Sequence, residues 1–97
     1  MVLLRALNYD FAGQISSYMT SIVNAGVKSI SIINNVGFVA NEYVLIEPYT
    51  DKAEIVKISS VSLNTTLVLT TGLKFDHSIN AKLYKLPYNQ IRYYSAA

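Results

Sequence analysis

His77 is the one histidine in the chain, and Asp76 stands beside it. A carboxylate can orient an imidazole for general-base work. That chemistry also needs a nucleophile, a second acid or a metal at a defined spacing, and the sequence offers no serine elbow, no second histidine and no metal-ligand pattern. Cysteine is absent, which removes disulfides and thiolate ligands and leaves the redox compartment unread. His77 therefore reads as a hydrogen-bonded loop histidine. Glu54 is more informative, because it alternates with Val56 and Ile58 on one strand face. Either the sheet ends there and the carboxylate reaches water, or it is partly buried and holds a hydrogen-bonding or cationic partner. The remaining carboxylates are scattered, so Glu54 reads as structural. No catalytic, cofactor-binding or metal-binding residue is assigned, and the chain reads as a non-enzyme.

One aromatic and basic cluster lies near the C-terminus: Tyr84, Tyr88, Tyr93 and Tyr94 interleaved with Lys82, Lys85 and Arg92. On the sheet face of a nucleic-acid-binding barrel, tyrosines stack bases while Lys and Arg track the backbone. Lys82, Tyr84, Tyr88 and Arg92 are the residues such a single-strand binder would use. Strand alternation, however, puts Lys82 and Tyr84 on one face and Lys85 on the other, so nothing concentrates the charge. Tyrosine also suits protein interfaces, where it offers a large rigid surface with a polar tip. Interface contact or core packing is the preferred reading, with nucleic-acid binding as the alternative.

The elements that would position these residues are short strands. Residues 38–46 and 53–58 form two apolar, β-branched segments with alternating polar positions, separated by a loop holding Pro48 and Asp51. Before them, residues 27–33 alternate isoleucine with serine, and Asn34-Asn35-Val36-Gly37 reads as a turn. After them, residues 62–65 give a four-residue hairpin connection into a strand at 66–70, a loop at 73–80 carries His77, and strands follow at 82–86 and 90–94. Near the N-terminus, Phe11, Ile15, Tyr18, Met19 and Ile22 recur at steps of three and four, which favours a short helix capped by Asp10. Six or seven strands at this cadence predict a mainly β domain, a small antiparallel barrel or sandwich spanning residues 1–97, with residues 1–10 as an extended assembly arm.

Composition bears on what such a domain would contact. Charged residues make up 14% of the 97 against about 25% in an average protein, while hydrophobic residues reach 52%. Few charges would have to be desolvated on assembly, so lasting contact with other subunits suits this surface. The net charge of +2, with no block of like charge, gives no strong attraction to nucleic acid or an anionic membrane. Residues 1–7 are too short for the apolar core of a signal peptide, and no stretch approaches the roughly 20 apolar residues of a membrane span.

Gly26-Val27-Lys28-Ser29-Ile30-Ser31-Ile32 begins a run of pieces with a shared pattern. It continues with Gly37-Phe38, Tyr43-Val44-Leu45-Ile46, Glu54-Ile55-Val56-Lys57-Ile58-Ser59-Ser60-Val61 and Thr66-Leu67-Val68-Leu69. His77 and Tyr88-Asn89-Gln90-Ile91 complete it. This order resembles the small β-barrel virion proteins of tailed bacteriophages. Asn41-Glu42 stands where relatives often carry a glycine-aspartate turn, and Asn80-Ala81 where a glycine is common. The resemblance implies a non-enzymatic structural protein of head decoration, neck or tail, made in the host bacterial cytoplasm and carried in the virion without cofactors. Its partners would be other virion proteins and further copies of itself. Leu3, Leu4, Tyr49, Tyr93 and Tyr94 are the expected contact residues.

Overall fold

The computed structural model describes residues 15–48 and 50–86. Its strands are β1 (Ser16–Tyr18), β2 (Ser29–Ser31), β3 (Tyr43–Ile46), β4 (Glu54–Ser62), β5 (Thr66–Leu69) and β6 (Lys82–Leu86). They form one antiparallel sheet in the order β1-β6-β3-β4-β5-β2. The sheet curls into a half-barrel around Met19, Ile32, Ile46, Ile58, Leu67 and Leu83, all fully buried. A further predicted strand at 90–94 and the arm at 1–10 lie outside the described residues.

The curl originates in β4. Its first residues pair with β3, from Ile46↔Glu54 to Tyr43↔Lys57, and its last with β5, from Ile58↔Leu69 to Ser62↔Thr66. A register shift between Ile58 and Ser60 separates the two halves. An irregularity of that kind bends a strand and sharpens its twist, so one nine-residue strand turns the sheet back on itself. The bend brings the outer strands together: Met19 bridges Ile32, Thr20 N–H donates to Ser31 O at 3.1 Å, and Ile33 N–H donates to Tyr18 O at 3.0 Å.

Alternation holds over the first half of β4 and along β5, where Glu54, Val56, Ile58, Leu67 and Leu69 face inward. It fails in β3, where Leu45 is buried as fully as Val44 and Ile46. The β4–β5 connection is also one residue shorter than expected, because Ser62 pairs with Thr66 and leaves residues 63–65 as the turn.

The helix expected around residues 11–22 is corrected over its described part. Residues 16–18 are strand β1, in register with β6 as Ser16↔Tyr84, Ser17↔Leu83 and Tyr18↔Lys82. Burial there follows a period of two, with Ser17 and Met19 inside, whereas Ile22 is 71% exposed. Serine and threonine pairs contribute little to a helix, and the edge of β6 offers the backbone a ladder instead. Met19 N–H continues it by donating to Ala81 O at 2.9 Å.

Asn35 ties the two turns at one end of the half-barrel. Its buried side-chain amide donates to Thr66 O at 3.1 Å and Ser62 O at 3.2 Å, with Leu63 O at 3.5 Å, while its backbone N–H donates to Asn64 O at 2.9 Å. Asn35→Ala leaves these carbonyls without their donor, and the expected loss of unfolding free energy is about 1–3 kcal/mol. A urea titration measures it, and an unshifted midpoint would show that water takes over the amide's role.

Candidate functional site

The hairpin joining β3 to β4 gathers the chemistry-bearing residues. Because Ile46 pairs with Glu54, the next residue, Glu47, begins the connection that ends at Glu54, and both carboxylates stand at one end of the pair. Glu47 has a left-handed φ of 49°, and its N–H donates to Lys82 O at 2.8 Å. The left-handed conformation turns the chain out of β3 while β6 still holds it. Thr50 completes the turn, its hydroxyl donating to Glu47 O at 2.8 Å.

His77 enters between the carboxylates from the 73–80 loop. A two-way backbone pairing fixes it, with His77 N–H donating to Val23 O at 2.8 Å and Val23 N–H to His77 O at 2.9 Å. Its Nδ1 lies 2.7 Å from Glu47 Oε1 and its Nε2 2.7 Å from Glu54 Oε2. Glu54 also accepts from two backbone amides, Lys74 N–H on Oε1 at 2.9 Å and Phe75 N–H on Oε2 at 3.2 Å. The His77 ring is fully buried, the Glu54 side chain is 3% exposed and that of Glu47 20%.

A carboxylate only accepts and a neutral imidazole donates through one nitrogen. Both short contacts are therefore satisfied when the Glu47–His77–Glu54 unit holds a second proton, on the ring or on a carboxyl. Buried charge without a partner is strongly unfavourable, and this arrangement gives Glu54 an imidazole and two amides. The unit locks the β3–β4 hairpin to the 73–80 loop. Its ring has no open face toward a substrate, and a general base must reach the proton it takes.

Glu54 thus has the buried, partnered form of the two that its position allowed. The expected loop histidine is hydrogen-bonded, but Asp76 is not its partner: Asp76 Oδ1 accepts from Ala25 N–H at 2.7 Å. Glu47, the third member, is unmarked by strand alternation alone. The available signal was the hairpin itself, since pairing residues 43–47 against the strand from Glu54 places the two glutamates side by side.

Beside Glu47 a pocket of about 370 Å³ opens to solvent, its described lining formed by Glu47, Pro48, Thr50, Ser78, Ile79, Asn80, Ala81, Lys82 and Tyr84. Of the residues proposed for nucleic acid, Lys82 is exposed and its Nζ sits 5.4 Å from the Tyr18 ring centroid, a cation–π contact, while Tyr84 is half-buried. Lys85 Nζ pairs with Glu42 Oε1 at 3.0 Å. Tyr88 and Arg92 lie outside the described residues, as do all five expected contact residues, Leu3, Leu4, Tyr49, Tyr93 and Tyr94. Among the described residues no group of three or more His, Cys, Asp or Glu is arranged to hold a metal ion, and no helix is long and apolar enough to cross a membrane.

No family model matches the chain, and no curated protein sequence does. Among solved structures, the fold is similar to part of the Gp54 tailspike of Acinetobacter baumannii bacteriophage AP22, a structure determined in complex with A. baumannii capsular saccharide. The match has a TM-score of 0.58 at 19% identity and covers 76% of this chain and 14% of the tailspike chain. At that identity the likeness is one of fold, and this chain spans a small part of the tailspike's length.

Proposed function

We propose that the chain is a non-enzymatic structural component of a tailed-phage particle, carried in multiple copies and docked on other virion proteins of head, neck or tail. The half-barrel shared with part of a phage tailspike is the observation that supports this most directly. The low charge content supports assembly in the same direction.

The described surface adds a docking element. Leu63, at the β4–β5 turn, is 83% exposed and has a left-handed φ of 53°; Val36, across the Asn35 latch, is 77% exposed. Leucine in that conformation is strained by about 1 kcal/mol, and its exposed side chain does nothing for the isolated fold. The left-handed φ closes the 63–65 turn, but an exposed leucine in a place that suits asparagine or glycine points to a contact made elsewhere. Docking through side chains suits this sheet better than strand addition, since β1 and β2 already direct backbone groups at each other.

Leu63→Asn separates the two roles. Asparagine tolerates the left-handed region, so the variant gains about 0.5–1 kcal/mol in unfolding free energy while its self-association or particle binding weakens. Thermal unfolding and sedimentation velocity read the two effects, and a variant that associates as well as the parent removes Leu63 from the interface. For the function itself, the purified chain is mixed with particles assembled without it. Co-sedimentation supports the proposal. A chain that stays monomeric at high concentration and leaves such particles unbound overturns it, and salt-sensitive binding to single-stranded nucleic acid, weakened by Tyr84→Ala, would put the barrel-type binder in its place.

A further inference from the structure

We infer that the pocket beside Glu47 is a binding site for one saccharide unit. At about 370 Å³ it falls within the size range of small-molecule sites, and it opens between two segments held in place by the fold. On one side, the Glu47 turn is fixed by its bond to Lys82 O and by Thr50. On the other, the 78–81 turn is closed by Ala81 N–H donating to Ser78 O at 3.1 Å, and Asn80 N–H donates to Met19 O at 2.8 Å.

The lining decides the class of ligand. Glu47 presents a partly exposed carboxylate whose orientation is set from behind by His77, a group that accepts hydrogen bonds from hydroxyls. Asn80, at a φ of 71°, adds an amide that both donates and accepts, and Ser78 and Lys82 line the same pocket. Pro48, Ile79 and Tyr84 add hydrocarbon to the same lining. The lining carries one charge of each sign, so it has no net attraction for a small anion or a simple cation, and a wholly apolar ligand would strip water from the carboxylate without replacing it. A ring edged with hydroxyls and faced with C–H groups matches both sets of contacts. The inference stands apart from the particle reading, because it rests on the pocket alone.

The test is a titration of the isotope-labelled chain with glucose, galactose and N-acetylglucosamine, followed by amide NMR shifts, with glycerol and inorganic phosphate as controls. At the affinity a ligand of this size reaches with ordinary per-atom efficiency, a dissociation constant of about 1 mM is expected for at least one sugar. The shifts should map to Thr50 and residues 78–82. Asn80→Gly removes the amide while keeping a residue at ease with the left-handed φ, and it should weaken binding about tenfold with the unfolding temperature retained. Glu47→Gln, checked for folding by the same spectra, should weaken it as well. The inference is overturned if no sugar gives saturable shifts well above about 1 mM, if glycerol or phosphate gives the same shifts, if the shifts map elsewhere, or if Asn80→Gly binds as tightly as the parent.

Discussion

His77→Ala is expected to lower the unfolding free energy by about 3–5 kcal/mol, the loss that follows when a buried carboxylate is left without its partner. The argument is local. Glu54 is 3% exposed and Glu47 has only limited access to water, so the alanine variant leaves Glu54 facing a cavity with two amide donors and no imidazole. Against a total stability of about 5–15 kcal/mol, that loss is large. Glu54→Gln should fall below it, at about 2–3 kcal/mol. Its two oxygens accept from Lys74, Phe75 and His77 together, so whichever end the glutamine amino group takes, it meets a donor. Glu47→Gln should lose least, about 1 kcal/mol or less, because water reaches that side. Urea titrations of the three variants check the order. Should Glu47→Gln prove the most damaging, the load on the unit lies on its exposed side, and the placement of Glu54 as the buried anchor is wrong.

Much of this site was legible in the sequence, and what was missed has a common cause. Glu54 on an apolar strand face required either access to water or a partner, and the β3–β4 pair was visible in its alternation. The identity of the partner was not, because it depends on register between segments 23 residues apart. Asp76 is the neighbour of His77 in sequence but not its partner in space. In extended backbone successive side chains point to opposite sides, and the structure sends Asp76 to the Ala25 amide and His77 inward. The helical spacing of Ile15, Tyr18, Met19 and Ile22 misled for a related reason: local periodicity says nothing about a free strand edge waiting at β6, and that edge decided the outcome. The turns at Asn41 and Asn80 need no glycine. Both have left-handed φ values, 73° and 71°, which asparagine adopts more readily than other side chains.

Gly72 sets the second large effect, and its cause is space alone. A Cβ built there would stand 2.6 Å from Gly26 O and 2.9 Å from the Gly26 Cα and carbonyl carbon. These are backbone atoms, so no rotamer change relieves the clash, and the 24–27 turn itself must retreat. That turn is tied to the same segment: Gly26 N–H donates to Leu73 O at 2.7 Å, and Leu73 N–H to Val27 O at 3.1 Å. Gly72→Ala should therefore cost about 3 kcal/mol, the upper part of the range for overpacking. Gly37→Ala is the comparison. Its Cβ would meet the Ile15 Cδ1 at 2.6 Å, the tip of a side chain that can swing away, and the φ of 87° then leaves a strain of about 1–2 kcal/mol. Retreat of the 24–27 turn also pulls on Val23 and Ala25, which hold His77 and Asp76. Gly72→Ala and His77→Ala should consequently be non-additive, the double variant losing less than the sum of the two. Strict additivity in a double-mutant cycle would mean that the Gly26–Gly72 contact and the Glu47–His77–Glu54 unit are independent supports of the loop.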